Sequence, residues 1–411
     1  MRIALIGDLH FGKLSVTNEF SIVGEALEDV TNGGVPLRAG FEELIKDKEL
    51  EFLFVAGDLT SSGSPIEYSK CIEMLYSMAT TAGISNENVI LSVGNHDVDR
   101  QISKIPDEIK KIQGATYPIK EVEQFYQRIA ASHGQYHATH LRFTVPGPVP
   151  FSGVLEKENV IIFTLNSGWL CSHQQEHKHG KLESAQLQWF REKATTYEAD
   201  SRWKIVLLHH HPFSYPHPNP SRDVSILEEG ADFVEIAGSM GINLVCHGHR
   251  HHPKAYNESR DGWKNPVTFL CAGSFSVNAR HRSSGAIPNV FHVLELLEEA
   301  SKKTVIVHSY QYSICDGWVP IANNCSETPI DHIMVFERYY GTDEVKSILQ
   351  GLLPSTEPFL LLPSWDSLPI ALRTLRFKRL DEIIHEVANK EFKIVGKYPG
   401  DVALVRRDVK K

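Results

Sequence analysis

The stretch Val89-Ile90-Leu91-Ser92-Val93-Gly94-Asn95-His96-Asp97 joins a short apolar run to a turn that ends in an amide, an imidazole and a carboxylate. A short apolar run bounded by turn residues is typical of a buried strand. Glycine and asparagine suit the turn, but the histidine and the aspartate add functional chemistry. Because ligand sites in α/β sheets collect at the carboxyl ends of strands, this stretch predicts a site at a strand end.

Four further segments place metal-binding side chains directly after an apolar run. They are Gly7-Asp8-Leu9-His10, Gly57-Asp58, His209-His210-His211-Pro212 and His247-Gly248-His249. Each segment alone is weak evidence, because a surface pair or a helix-capping aspartate would explain it equally well. Five such segments in succession would rarely arise by chance. They mix carboxylate, imidazole and one amide, which suits manganese, iron or zinc, and the lack of thiolates argues against a structural cysteine-type zinc site.

Size and composition set wide limits on the class of protein. The chain has 411 residues, which is enough for more than one domain, and its contents of 42% apolar and 23% charged residues are ordinary for a globular protein. The net charge of −9 provides no global basic field and argues against a protein that coats nucleic acid. Its six cysteines form no C-x-x-C pair, which favours a reduced, cytoplasmic setting.

The order of predicted elements indicates an α/β fold. Strands are expected at 2–6, 51–56 and 88–93, with helices at about 39–48 and 66–82 between them, and this alternation predicts parallel strands with right-handed crossovers. Later strands at 267–270, 289–296 and 304–312 are expected to be antiparallel. No secretory signal is expected, because Met1-Arg2 leads directly into the first strand, and no apolar run approaches membrane-spanning length.

The order Asp-x-His, Gly-Asp, Gly-Asn-His-Asp, His-x-Pro and His-x-His resembles the calcineurin-like metallophosphoesterase family over roughly the first three quarters of the chain. The resemblance implies a four-layer α-β-β-α sandwich at residues 1–325, interrupted by a helical insertion at about 100–150. Residues 330–411, which the resemblance does not cover, are expected to form an additional small α/β C-terminal module.

The resemblance also implies a binuclear centre with a defined ligand set. Asp8, His10 and His249 would hold one ion, Asn95, His210 and His247 the other, and Asp58 would bridge them. The family's His-x-Pro form selects His210. Because neighbours along a strand point to opposite faces, His209 and His211 are expected to support or pack against the site. The expected cofactors are two divalent metal ions, Mn2+ or iron (Fe2+ or Fe3+), with Zn2+ as the alternative.

The activity implied by the resemblance is that of a metal-dependent phosphoric ester hydrolase. Two ions about 4 Å apart acidify a bridging water, and the hydroxide would attack a phosphodiester. His96 is expected to protonate the leaving oxygen or stabilise its charge, and Asp97 to orient the imidazole. The segment 57–60, followed by Gly63 and Glu67-Tyr68, resembles the cyclic-nucleotide phosphodiesterase branch, which favours a nucleotide-type diester; the alternative is a helix start with a packed tyrosine.

Other functions stay open at this point. A metal-dependent nuclease is the first alternative, and its support is a basic face on the last predicted helix, formed by Arg373, Arg376, Lys378 and Arg379. A phosphomonoesterase is a further alternative. A non-catalytic regulatory or binding protein that retains the fold is the alternative from another class, although the complete ligand set argues against it. The C-terminal module could recruit a protein partner.

Two further clusters have alternative interpretations. Cys171, His173, His177 and His179 could form an accessory zinc site, but a solvated loop is the favoured interpretation because the spacing matches no familiar zinc module. His251 and His252, next to Arg250, could reach the phosphate or only border the site.

Overall fold

The structure is a computed structural model that describes residues 1–22, 34–98, 143–171, 179–213, 226–282, 287–299 and 302–321. It also describes Ile330, Ser347 and four short strands near the C-terminus. The chain divides into two compact units, one of Met1–Leu296 with Val307–Ile333 and one of Leu297–Ile306 with Met334–Lys411. Residues 99–142, which contain most of the expected insertion, lie outside the described residues.

The described elements alternate strands and helices in the first half of the chain and are mainly strands in the second half. The strands are β1 (Arg2–Ile6), β2 (Phe52–Ala56), β3 (Val89–Ser92), β4 (Val145–Pro146), β5 (Gly153–Glu156), β6 (Val160–Thr164), β7 (Trp203–Leu207), β8 (Leu244–His247), β9 (Lys254–Glu258), β10 (Val267–Cys271), β11 (Val290–Glu299), β12 (Lys302–Ser313), β13 (Gly317–Pro320), β14 (Ile333–Phe336), β15 (Phe359–Leu362), β16 (Phe392–Gly396) and β17 (Val402–Arg406). The α-helices are α1 (Leu37–Ile45), α2 (Pro65–Thr81), α3 (Glu183–Thr196) and α4 (Gly230–Ser239).

The first sheet has the strand order β13-β12-β11-β1-β2-β3. Strands β1, β2 and β3 are parallel, as the alternation of elements predicts, and β11 continues the sheet antiparallel to β1 with Leu5 opposite His292. The expected antiparallel direction of the strand at 289–296 is thus confirmed.

The second sheet has the order β4-β5-β6-β7-β8-β10-β9. Strand β10 was expected to be antiparallel; this is confirmed for its pairing with β9 but is wrong for its pairing with β8, which is parallel. The reason is the edge strand β9, which pairs antiparallel with β10. Its sequence Lys-Ala-Tyr-Asn-Glu contains only two apolar residues, so no apolar run reveals it. The additional strand reverses the chain once more and restores the parallel direction.

Both sheets are covered on both faces, which confirms the four-layer sandwich. In β1, Ala4 and Ile6 belong to the apolar cluster that includes residues of α1 and α2, whereas Ile3 and Leu5 are buried on the opposite face. In β7, Val206 belongs in the same way to the cluster that includes residues of α3 and α4. Because side chains alternate along a strand, each sheet has one face under helices and one face buried away from them.

Helix α2 begins with a side-chain cap, and its start fixes the end of the loop that follows β2. The Ser64 hydroxyl accepts a hydrogen bond from the Glu67 backbone N–H at 3.2 Å, and Pro65 occupies the first turn. The Glu67 carboxylate then reaches back and accepts from the backbone N–H and the hydroxyl of Ser62 at 2.9 and 2.7 Å. The last residues of the loop from β2 to α2 are therefore fixed to the first turn of the helix.

The second unit contains a small antiparallel sheet in the order β15-β17-β16, with Leu360 opposite Leu404 and Ile394 opposite Leu404. Strands β16 and β17 pair antiparallel along their length. Strand β14 pairs with β12, whose first residues, Lys302–Ile306, belong to the same unit. The helix expected to carry Arg373, Arg376, Lys378 and Arg379 lies outside the described residues. Within the part that is described, no helix is long and apolar enough to cross a membrane.

His292 of β11 is a fully buried imidazole whose two nitrogens both have partners. Nε2 lies 3.1 Å from the Ala272 carbonyl oxygen, and Nδ1 lies 2.9 Å from the Ser309 hydroxyl. Since a carbonyl oxygen can only accept, Nε2 carries the proton and Nδ1 accepts from the hydroxyl of Ser309. The neutral ring therefore has a hydrogen-bond partner at each nitrogen. Burial lowers the pKa of His292 to about 4.

This burial predicts a loss of stability in mild acid. In the unfolded chain a histidine has a pKa of about 6.5, so the unfolded state binds the proton first as the pH falls, and stability declines until the pH approaches the folded pKa. Between pH 7 and pH 5 the expected contribution is about 2 kcal/mol. Urea unfolding is measured in the presence of a chelator at both pH values. The free energy of unfolding should decline less from pH 7 to pH 5 in His292→Gln than in the wild type. An identical decline in both proteins would contradict the prediction.

Candidate metal centre

The five segments singled out in the sequence converge at one place because each follows the end of a strand. Backbone hydrogen bonds join them in pairs: Asp8 N–H donates to the Gly57 carbonyl at 3.1 Å, and Gly248 N–H donates to the His209 carbonyl at 2.9 Å. A third bond crosses between the sheets, since the His249 N–H lies 3.0 Å from Asp8 Oδ2. The loops of the two sheets thus form one cluster.

Backbone conformation in this cluster is unusual. Asp8, His10, Asp58, His249 and His251 all have positive φ, at 48°, 49°, 49°, 80° and 53°. Non-glycine residues rarely adopt this region, which costs of the order of 1–3 kcal/mol for each residue. Strain of this kind persists where the surrounding structure enforces it, and here it turns five titratable side chains toward a common centre.

The first group of side chains consists of Asp8, His10, Asp58 and His251, whose potential ligand atoms all lie within 4.8 Å of one another. His10 Nε2 is 3.2 Å from His251 Nε2 and 3.4 Å from Asp58 Oδ2. His251 Nε2 is also 3.5 Å from Asp8 Oδ1. Two carboxylates and two imidazoles therefore face the same small volume.

The second group consists of His209, His210 and His249, again with ligand atoms within 4.8 Å of one another. His209 Nε2 is 3.0 Å from His249 Nδ1 and 3.4 Å from Asp58 Oδ2. Asp58 Oδ2 therefore contacts a histidine of each group, at 3.4 Å in both cases.

The chemistry of these groups fits divalent metal ions. Asp8, Asp58, His10 and His209 are at most 1% exposed, and burying two carboxylates is costly unless a cation compensates them. Burial, together with neighbouring imidazoles, holds the pKa of both His10 and His249 well below the usual range, so both rings are neutral. A neutral imidazole is the form that binds a metal ion.

Two further observations support the fit. The Nδ1 atom of His209 lies 2.8 Å from the Ala56 carbonyl oxygen, to which it must donate, so Nε2 is the atom that faces Asp58 and His249. Metal-binding histidines are commonly oriented by such a bond to a backbone carbonyl. The Asn95 side-chain oxygen is buried and has no hydrogen-bond partner in the described parts of the chain. This is expected for an oxygen that coordinates a metal ion.

The ion pair of Asp58 and His209 dominates the electrostatics. Burial alone would raise the pKa of Asp58, but His209, His96 and His10 together hold it well below the usual range. Burial opposes protonation of His209, yet Asp58 raises the pKa of this histidine to about 9. Because a ligand nitrogen must be deprotonated, metal binding by His209 would release a proton.

Glycines make the close approach of the loops possible. A Cβ on Gly57 would lie 2.7 Å from Cγ of His209, and one on Gly248 would lie 2.8 Å from Asp8 Oδ2. A Cβ on Gly94 would collide with Asp58 Oδ1. Gly57 also has a φ of 81°, which only glycine adopts without strain. Larger residues at these positions would displace the side chains of both groups.

His96 lies at the edge of the cluster and is half-buried. Its ring centroid is 4.5 Å from that of His10, and its backbone N–H donates to Asp58 Oδ1 at 2.8 Å. The imidazole Nδ1 lies 3.1 Å from the Ser61 carbonyl oxygen. Because a carbonyl only accepts, Nδ1 carries a proton and the ring is oriented by Ser61.

Asp97 has different partners from those expected. Its carboxylate accepts from the backbone N–H groups of Gly94, Leu59 and Thr60 at 2.8, 3.2 and 2.9 Å, and from the Thr60 hydroxyl at 3.1 Å. These contacts brace the loop after β2 against the loop after β3, and the role of Asp97 in orienting the His96 imidazole stays a prediction. Burial, with a contribution from Asp58, raises the pKa of Asp97 to about 7, and the backbone donors oppose this rise.

The structure does not bring all predicted ligands together. His247, at the end of β8, is fully buried and belongs to neither group, and its ring centroid lies 6.2 Å from that of His211. His210 belongs to the second group, but its Nδ1 lies 2.9 Å from the Ser167 hydroxyl and its Nε2 4.0 Å from the Cys171 sulfur. His209 and His251 are present at the centre although the sequence did not select them.

The cysteine–histidine cluster is only partly described. Cys171 is buried, and its thiol also approaches the backbone carbonyl of His179 at 3.6 Å. His173 and His177 lie outside the described residues, so an accessory zinc site stays a hypothesis.

The sequence matches the calcineurin-like phosphoesterase family over residues 1–253, and the chain belongs to this family. It is accordingly a metal-dependent hydrolase of phosphoric esters, and the family together with the two side-chain groups indicates a dimetal centre. The recognition of this family from the five segments is confirmed.

Several solved structures are similar to this chain at low sequence identity. A dimetal phosphatase from Danio rerio is 10% identical, with 82% of this chain and 98% of that chain covered and a TM-score of 0.44. A purple acid phosphatase from yellow lupin (Lupinus luteus) seeds is 11% identical, with 83% and 54% covered and a TM-score of 0.46. Vps29 from Chaetomium thermophilum is 12% identical, with 82% and 96% covered and a TM-score of 0.33. No curated protein sequence matches the chain.

Proposed function

We propose that this protein is a dimetal phosphodiesterase that hydrolyses a nucleotide-type phosphodiester. The single observation that carries the proposal is the position of Asp58, whose Oδ2 lies 3.4 Å from His10 Nε2 in one group and 3.4 Å from His209 Nε2 in the other. A carboxylate shared by two groups of ligands is the arrangement that a pair of adjacent cations requires.

The proposed ligand set differs from the one expected from the sequence. Asp8, His10 and His251 would hold the first ion, and His209, His249 and Asn95 the second, with Asp58 as the bridge. His251 thus takes the position expected for His249, and His249 moves to the second ion. His209 replaces His210, because both ring nitrogens of His210 face Ser167 and Cys171.

The protein's own side chains would orient the reaction. Two bound divalent ions supply neutralisation of the phosphate charge and acidify a water molecule. The Nδ1–H group of His96 donates a hydrogen bond to the Ser61 carbonyl, so the imidazolium form of the ring would be the one that passes a proton, from Nε2, to the leaving oxygen. Asp58 Oδ1 holds the backbone of His96, and Asp97 ties the neighbouring loops together, so the imidazole keeps a fixed distance from the cluster.

The choice of a diester rests on the likeness of segment 57–68 to the cyclic-nucleotide branch, and the structure refines that likeness. Tyr68 is only 2% exposed and belongs to the apolar cluster of the first sheet, so the packing interpretation of this tyrosine is supported. Glu67 braces the loop through Ser62. The likeness therefore concerns the shape of the loop that presents Asp58, not contacts of Tyr68 with a substrate.

A screen of model esters would test the proposal. The protein is stripped with a chelator, reloaded separately with Mn2+, Fe2+ or Zn2+, and assayed with bis-p-nitrophenyl phosphate and p-nitrophenyl phosphate. We expect metal-dependent hydrolysis with a higher kcat/KM for the diester. Faster hydrolysis of the monoester would make the protein a phosphomonoesterase. No hydrolysis with any metal would favour a binding protein that retains the fold, and cleavage of long DNA strands alone would favour a nuclease.

A further inference from the structure

Ser61 lies where the loops that follow β1, β2 and β3 meet. Its backbone N–H donates to the Phe11 carbonyl at 2.9 Å, and its hydroxyl donates to the His10 carbonyl at 2.6 Å. Its own carbonyl oxygen lies 3.1 Å from Nδ1 of His96. A single residue of the loop after β2 thus contacts a candidate metal ligand of the first loop and the candidate proton donor of the third.

The hydroxyl of Ser61 both donates and accepts within the same loop. A serine hydroxyl has one proton to donate, and here this proton goes to the His10 carbonyl. The oxygen also accepts from the backbone N–H of Leu14 at 3.0 Å. Because Ser61 is only 4% exposed, water has little access to replace either bond. The side chain therefore fixes Ser61 to two points of the loop after β1.

The main chain of His96 is held by other residues. Its N–H donates to Asp58 Oδ1 at 2.8 Å, and its carbonyl oxygen lies 3.2 Å from the Thr60 hydroxyl. These bonds fix the backbone, whereas the bond from Nδ1 to the Ser61 carbonyl acts on the imidazole itself. The ring also meets the His10 ring edge to face, with 4.5 Å between the centroids. The orientation of the imidazole therefore depends on the two residues that the Ser61 hydroxyl links.

We infer that Ser61 is a positioning residue that keeps the proton donor His96 at a fixed place relative to the metal ligand His10. The hydroxyl holds the loop after β1, and the carbonyl sets the orientation of the His96 ring. This inference rests on the proposed function, in which His96 protonates the leaving oxygen. Ser61 acts through His96, and a misplacement of a reacting group by about 1 Å can lower a rate by about a hundredfold.

The first test is the kinetic effect of Ser61→Ala on two esters, the thymidine dinucleotide TpT and bis-p-nitrophenyl phosphate. We expect kcat for TpT to fall by about tenfold, because the leaving hydroxyl needs a well-placed proton donor. For bis-p-nitrophenyl phosphate, whose leaving group is stable without a proton, kcat should change by less than about twofold. The values of KM and the Mn2+ content should remain those of the wild type. Equal losses of kcat on both esters would overturn the inference.

A double-mutant cycle shows whether Ser61 acts through His96. The variant Ser61→Ala/His96→Asn should cleave TpT with the same kcat as His96→Asn alone, because the serine then has no proton donor to position. A double variant about tenfold slower than His96→Asn would mean that the two residues act independently. Ser61 would then have a merely structural role, and the inference would be wrong.

A graded variant covers the case in which Ser61→Ala does not fold. Ser61→Cys keeps a side chain of similar shape, and its thiol is a weaker hydrogen-bond donor than the hydroxyl. Its kcat for TpT should lie between the values of the wild type and of Ser61→Ala, with kcat for bis-p-nitrophenyl phosphate unchanged. Wild-type kcat for TpT in a folded Ser61→Cys protein together with wild-type kcat in Ser61→Ala, or in Ser61→Cys alone where Ser61→Ala does not fold, would contradict the positioning role.

Ser276→Ala is the matched control, because it removes the same chemical group from the same neighbourhood. Ser276 is fully buried, and its hydroxyl donates to the carbonyl of Leu9, the residue before His10 in the loop after β1. Any disturbance of this loop should affect both esters alike, so the ratio of kcat for TpT to kcat for bis-p-nitrophenyl phosphate should stay that of the wild type. An equal fall of this ratio in Ser61→Ala and Ser276→Ala would overturn the inference.

A spectroscopic measurement keeps this inference separate from the proposed function. In protein labelled with 15N-histidine and kept in chelator, the Nδ1–H resonance of His96 is assigned by its absence in His96→Asn, and its exchange with water is measured. We expect faster exchange in Ser61→Ala than in the wild type and in Ser276→Ala. If this holds but the protein hydrolyses no ester, Ser61 positions the ring and the proposed function is wrong. If the protein hydrolyses diesters and the exchange is the same in all three proteins, the Ser61 inference alone is wrong.

Discussion

Replacing Asp58 with asparagine is expected to lower kcat/KM for bis-p-nitrophenyl phosphate by about a thousandfold, the scale of losing a preorganised charge in an active site. Asp58 Oδ2 lies 3.4 Å from a histidine of each ligand group, and an amide there would remove the negative charge that the proposed bridge would supply to two ions. The amide oxygen can still accept from the His96 N–H, as Oδ1 does at 2.8 Å. The variant should therefore lose bound metal while keeping the loop after β3 in place.

Metal content and folding must be measured on the same sample. Elemental analysis after reloading with Mn2+ should show fewer ions per chain in Asp58→Asn than in the wild type. A native circular dichroism spectrum in chelator would show that the loss does not come from unfolding. Asp261→Asn, the same substitution in an exposed turn, should leave metal content and activity unchanged. Wild-type metal content together with wild-type activity in Asp58→Asn would exclude the bridging role.

The convergence of the five segments was predictable because each ligand follows a buried strand. Strands β1, β2 and β3 are parallel, as are β7 and β8, and apolar runs reveal all five. Parallel strands bring their carboxyl ends to the same edge, so the approximate position of Asp8, His10, Asp58 and Asn95 follows from the sequence alone.

The choice among the consecutive histidines was not predictable from strand geometry. The family's His-x-Pro form selected His210, and the alternation of side chains along a strand then assigned supporting or packing roles to His209 and His211. Strand β7 ends at Leu207, so the backbone has left the strand before either histidine, and alternation no longer applies. Hydrogen bonds formed only in the folded protein, from His209 to Ala56 and between His210 and Ser167, separate the two rings.

His251 was missed for a related reason, but one signal in the sequence would have indicated it. Asp8-Leu9-His10 and His249-Arg250-His251 share a spacing of two residues. In the structure, both residues of each pair have positive φ. His247, by contrast, is the last residue of β8 and stays within the sheet. In the proposed ligand set the His-x-His pair therefore lies two residues later than predicted, because the regular backbone continues one residue beyond the apolar run.

The His96→Asn variant is expected to lose activity in a way that depends on the leaving group. General acid catalysis contributes about 10²–10⁴-fold, and it is needed most when the leaving oxygen is strongly basic. For TpT, whose leaving group is a nucleoside hydroxyl, kcat should fall by about this factor. For bis-p-nitrophenyl phosphate, whose leaving group is stable without a proton, the fall should be less than about tenfold. Metal content should remain that of the wild type.

Asp97→Asn provides the contrast that decides how His96 is held. The Asp97 carboxylate accepts from four donors of the loops after β2 and β3, and an amide cannot accept all of them, which should reduce the free energy of unfolding by about 1–3 kcal/mol. Because the His96 ring is oriented by Ser61, Asp97→Asn should lower kcat for TpT and for bis-p-nitrophenyl phosphate by the same factor. If Asp97 instead orients the imidazole, as the sequence alone suggests, its variant would reproduce the leaving-group dependence of His96→Asn. Equal losses on both esters in His96→Asn itself would remove the proton-transfer role and leave His96 as a side chain that only positions the phosphate.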